Sequence, residues 1–84
     1  MIDYNKLGEI RGKKNKLEIE AKVCDKIYHE IIMSANECVM KENFGGADAY
    51  IHMGEFVIEM LRDIETQLNE LLIIQREILK EVEL

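Results

Sequence analysis

Four imidazole and carboxylate side chains recur at helical spacing in the second half of the chain. Steps of 3, 4 and 4 would align them on one helix face: His52, Glu55, Glu59 and Asp63. These groups are possible ligands for a divalent metal, so the set is a weak candidate metal site. Di-iron bundles place Glu-x-x-His on each of two facing helices; here the order is reversed, and the first half offers no equivalent. We therefore favour a solvated acidic face and expect no metal and no cofactor.

The most distinctive local feature is a basic stretch, whose four cations are Arg11, Lys13, Lys14 and Lys16. Residues 1–16 carry five basic and two acidic side chains, a net +3, whereas residues 17–84 carry six basic and fifteen acidic ones, a net −9. The basic segment could contact phosphates or an acidic partner, although an acidic body repels nucleic acid. Solvated surface is the simpler interpretation, and nucleic-acid binding stays as an alternative.

Nothing in the sequence indicates catalysis. There is no Gly-rich phosphate loop, no Ser–His–Asp set and no Cys–His pair at a loop apex. The two cysteines, Cys24 and Cys38, would lie roughly 21 Å apart on one helix, too far for a disulfide, so we expect reduced thiols. No secretory leader and no apolar run of about 20 residues is visible, so we expect a cytoplasmic protein without membrane contact.

The 84 residues leave room for one domain, and the composition, without proline and with few aromatic residues, favours helices. Nothing between Leu17 and Glu42 breaks a helix, and only Gly54 interrupts residues 47–82. Between them, residues 43–46 (Asn-Phe-Gly-Gly) have turn chemistry, with Asp48 favouring the next helix start. We predict an all-α fold: an antiparallel helical hairpin over 17–84, preceded by a basic arm or short helix over 1–16.

Apolar positions step by alternating 3 and 4 in both predicted helices, which indicates a heptad seam between them. In the second helix the seam consists of Gly54, Val57, Leu61, Ile64, Leu68, Leu71, Gln75, Ile78 and Val82. In the first it consists of the mostly small residues Leu17, Ala21, Cys24, Tyr28, Ile31, Ala35 and Cys38. Small residues opposite large ones favour close packing of the two helices.

Further apolar residues lie beside the seam of the second helix, and one hairpin cannot cover them. They are Ile51, Ile58, Leu72 and Leu79 on one side and Met53 and Met60 on the other. We predict that they form an oligomer interface, most simply in a four-helix bundle of two hairpins. Alternatively, Ile2, Leu7 and Ile10 fold across the hairpin as part of a third helix.

These features favour a small, non-catalytic interaction or regulatory protein, an adaptor or inhibitor of the kind that phages and mobile elements often encode. We expect it to bind itself and another protein. Two alternatives remain open: a nucleic-acid-binding regulator that uses the basic segment, and a metal- or small-ligand-binding helical bundle.

Overall fold

Two long helices form an antiparallel hairpin. The computed structural model describes residues 3–83, with side chains over 3–80. Helix α1 runs Tyr4–Met40 and helix α2 runs Phe44–Glu83, and no strand occurs among these residues. The hairpin measures 63 × 15 × 14 Å, an extended rod two helices wide. The predicted all-α hairpin is confirmed.

The predicted seam forms the core between the helices. Its buried cluster contains Leu17, Cys24, Ile31, Val57 and Ile64, with Ala21, Tyr28, Leu61, Leu68 and Leu71 packed against it. Gly54 lies opposite Tyr28, because a β-carbon built on it would be 3.5 Å from a Tyr28 ring carbon. Here the small residue belongs to α2 and the large one to α1, the reverse of the predicted arrangement of small α1 residues opposite large α2 residues. The side chains of Ile2 and Val82 lie outside the described part of the chain.

Helix α1 begins earlier than the sequence predicted. It starts at Tyr4 rather than Leu17 and passes through Gly8 and Gly12 without a break. Asp3 caps it by accepting a hydrogen bond from the Lys6 N–H. Ile10 continues the seam one heptad before Leu17 and is 5% exposed. Burial of this side chain offsets the poor helix propensity of glycine, so residues 4–16 extend α1 rather than forming a separate arm or a third helix.

The turn also differs from the prediction, in both position and chemistry. Glu42, not a glycine, adopts the left-handed conformation, with φ of 59°. The N–H of Asn43 donates to the Cys38 carbonyl and that of Glu42 to the Val39 carbonyl, which together close α1. Residues 44–46, predicted to lie in the turn, already belong to α2.

Asn43, rather than Asp48, caps the second helix. Its side-chain oxygen accepts a hydrogen bond from the Gly46 N–H at 3.0 Å. A β-carbon at residue 46 would lie 2.6 Å from the Asn43 amide nitrogen, so glycine is needed there to make space for the cap. Asn43 thus closes α1 with its N–H and opens α2 with its side chain, which allows a very short connection.

Candidate interaction surfaces

A shallow apolar groove runs along one side of the hairpin. Five of its lining side chains are Ile19, Val23 and Ile27 of α1 and Met60 and Ile64 of α2, and Glu20 is the one charged residue in the lining. Met53 lies one heptad before Met60, and Phe56 lies between the two at spacings of 3 and 4, so all three share a face of α2. We call the surface formed by Ile19, Val23, Ile27, Met53, Phe56 and Met60 the methionine groove.

Every member of the methionine groove is strongly exposed. Met60 is 54% exposed and Phe56 69%, and the other four side chains are each exposed by 42% or more. The sequence pattern placed Met53 and Met60 beside the seam of α2, but the analysis of the sequence did not single out Ile19, Val23 or Phe56. The signal was present, since Ile19, Val23 and Ile27 follow one another at intervals of four.

The opposite side of the hairpin carries a second apolar row. Ile58, Leu72 and Leu79 each directly follow a seam residue of α2, and Ile51 lies one heptad before Ile58. Residues that directly precede seam positions, such as Ile27 and Met60, line the groove, so those that directly follow lie on the other side. Ile51 and Leu79 are exposed, while Ile58 and Leu72 are half-buried. We call these four residues the aliphatic flank.

The six residues predicted to form an oligomer interface lie on two opposite sides of the hairpin, as their positions beside the seam indicate. Four lie on the aliphatic flank, whereas Met53 and Met60 lie in the methionine groove. A single two-fold interface uses one patch on each subunit, so one contact between two hairpins covers one side only. The other side remains available for a different occupant.

The basic segment is part of α1, and its four cations do not share one helix face. Lys13 and Lys16 line a depression between the helices together with Glu20 and Glu70, while Lys14 is 4.0 Å from Glu18. Arg11 is exposed. Acidic side chains of the protein itself therefore surround much of this positive charge, which reduces its attraction for phosphates.

The residues proposed as weak metal ligands lie on the exposed surface of α2. His52 is 3.4 Å from a carboxylate oxygen of Asp48 and 3.5 Å from one of Glu55, in ion pairs formed when the imidazole is protonated. Glu59 and Asp63 make no ion pair with another described side chain. Within the described range, no three or more His, Cys, Asp or Glu side chains are arranged to hold a metal ion.

The two cysteines occupy different positions in the hairpin. Cys24 is buried in the seam and Cys38 is half-buried, and both are free thiols. In the part of the chain that the structure describes, neither helix contains a stretch apolar enough to cross a bilayer.

Comparison of the chain with protein-family models, curated proteins and solved structures found no match.

Proposed function

We propose that the protein is a small, non-catalytic interaction protein that works as a homo-oligomer, most simply a dimer of hairpins, and binds another protein as an adaptor or inhibitor. The observation that carries this proposal is the amount of apolar surface that the hairpin leaves exposed. Among residues 3–80, fifteen large hydrophobic side chains are exposed and no large side chain is fully buried.

The total accessible surface area of the hairpin can be compared with that of a compact protein of the same mass. The chain exposes 6850 Å², whereas a compact monomer of its mass would expose about 5,200 Å². The excess, about 1,650 Å², falls within the area that each partner buries in a large homodimer interface, on the order of 1,000–2,500 Å². Packing two rods side by side would bring the surface per chain towards that of an ordinary globular protein.

The aliphatic flank supports self-association best. Ile51, Ile58, Leu72 and Leu79 occupy one heptad row along most of α2, interrupted only by Glu65. Branched aliphatic side chains in such a row pack well into the grooves of neighbouring helices. A dimer through this face would be a four-helix bundle in which the row of each hairpin is covered by the other.

Sedimentation equilibrium at micromolar concentration tests this proposal. We expect a mass of about twice 9.8 kDa for the wild type and 9.8 kDa for the double variant Ile51→Glu/Leu79→Glu, because buried carboxylates would be desolvated in the interface. Ile73→Glu is the control, since Ile73 is exposed on the polar side of α2. A wild-type mass of 9.8 kDa would contradict self-association.

Thermal melting gives a second measurement that does not depend on variants. If folding is coupled to dimerisation, the melting temperature rises with protein concentration. A melting temperature independent of concentration over two decades would argue for a monomer.

A further inference from the structure

We propose that the methionine groove binds a basic amphipathic helix of a partner protein. The inference rests on the proposed function, because it identifies the class of partner that this interaction protein recognises. It assigns the two apolar sides of the hairpin to different occupants: the aliphatic flank to a second copy and the methionine groove to another protein.

The shape and chemistry of the groove suit a helix. Apolar side chains stand on both edges, Val23 and Ile27 from α1 and Met60 from α2, so a docked helix would contact both helices of the hairpin. Met53, one heptad before Met60, extends the α2 edge. Helices bind in such grooves through apolar residues at spacings of 3, 4 and 7. Methionine side chains are flexible and polarisable and adapt to different apolar partners, and an exposed Phe56 adds aromatic area.

The charges at the edges of the groove select a basic partner. Glu30 follows Ile27 by three residues, Asp63 follows Met60 by three, and Glu59 lines a depression together with Phe56. With Glu20 these are four carboxylates, against two nearby lysines, Lys16 and Lys26, giving a net −2. All four carboxylates are exposed, and none pairs with a basic side chain among the described residues. They are available to lysines or arginines on the polar edges of a docked helix.

The same charges disfavour a second copy in the groove. A two-fold contact through this face would place the net-acidic edge of one hairpin against the identical edge of the other. Because the edges carry a net −2, this contact would bring like net charges together, and like charges across an interface oppose binding.

A synthetic peptide of about 20 residues, with leucines on one helix face and lysines elsewhere, is the probe, and a peptide with glutamates in place of the lysines is its control. Binding is measured by fluorescence anisotropy on the full chain at physiological ionic strength. We expect the lysine peptide to bind and the glutamate peptide not to bind. Equal binding of the two peptides, or binding of neither, would overturn the proposal.

Two matched pairs of variants locate the binding site. Asp63→Lys should weaken binding of the lysine peptide by about 2–5-fold, while Glu77→Lys makes the same charge change about 21 Å further along α2 and should leave it unchanged. Met60→Glu should weaken binding by about tenfold or more, while Ile73→Glu should have no effect. Equal effects within either pair would contradict a site in the groove. Asp63 and Met60 are both exposed, and circular dichroism checks that the variants keep their helices.

Sedimentation of the same samples separates this inference from the proposed self-association. If the wild type has a mass of 9.8 kDa but binds the lysine peptide in the groove, self-association fails and the inference stands. If Met60→Glu alone converts an oligomer to the monomer, a second copy occupies the groove and the inference is wrong.

Discussion

The half of the hairpin next to the turn is packed more completely than the open half. Near the turn, seam residues of both helices are buried, including Ile31 and Ala35 in α1 and Ala47 and Val57 in α2. Towards the open end the seam of α1 remains buried at Leu17 and Ile10. The α2 seam beyond Ile64 is only half-buried, at Leu68, Leu71, Gln75 and Ile78.

Residue size contributes to the difference between the two halves. Near the turn the seam includes Ala35, Ala47 and Gly54, and small residues are covered completely by one facing helix. In the open half the α2 seam carries large side chains, and a single helix covers only one side of each. Lys14 and Gln75 add polar groups to the same half. The same heptad pattern therefore produces a well-buried seam next to the turn and a half-buried α2 seam at the open end. The stability of the open half depends more on other molecules that pack against the hairpin.

The substitutions with the largest expected effect on the free energy of unfolding replace one seam residue in each half. Ile31→Ala should lower the free energy of unfolding by about 2–5 kcal/mol, because Ile31 is 7% exposed and its removal leaves a cavity. Ile78→Ala should cost about 1 kcal/mol in a monomeric hairpin, because a half-buried side chain loses less contact. Chemical denaturation measures both. Equal losses would show that the two halves are packed alike.

Two substitutions in the turn should have smaller effects on stability, one destabilising and one stabilising. Asn43→Ala removes the cap that Gly46 uses and should destabilise the protein by about 1 kcal/mol. Glu42→Gly should stabilise it by about 1 kcal/mol, because glycine adopts the left-handed conformation without the steric cost that glutamate bears. If denaturation midpoints moved in the same direction for both variants, the described turn geometry would be incorrect.

The smallest test strengthens the open half directly. A β-carbon at Gly8 or Gly12 would meet no atom within 4 Å, so alanine fits at both positions. Each substitution should stabilise the protein by about 1 kcal/mol through helix propensity alone. Thermal melting checks this, with Gly46→Ala as the destabilising counterpart because its β-carbon would collide with Asn43. No gain from either alanine would indicate that residues 4–16 are not stably helical.

The spacing of apolar residues was sufficient to predict the hairpin and its core. All five members of the buried cluster lie on the predicted seam: Leu17, Cys24, Ile31, Val57 and Ile64. The basic segment was harder, because Gly8 and Gly12 lower local helix propensity while the gain that compensates comes from burial of Ile10 against the other helix. Helix propensity is a property of each residue alone, so it does not include a contact between two helices.

The sequence by itself determined the helices, their seam and the presence of apolar residues on both sides of it, because these follow from a 3.6-residue period that any helix imposes. Only the tertiary structure decided how the two sides are composed. The antiparallel pairing of α1 with α2 brings Ile19, Val23 and Ile27 beside Met60 and leaves the row from Ile51 to Leu79 on the opposite side. Residues far apart in the chain share a surface through the register of the hairpin, and that register is set by the turn at Glu42 and Asn43.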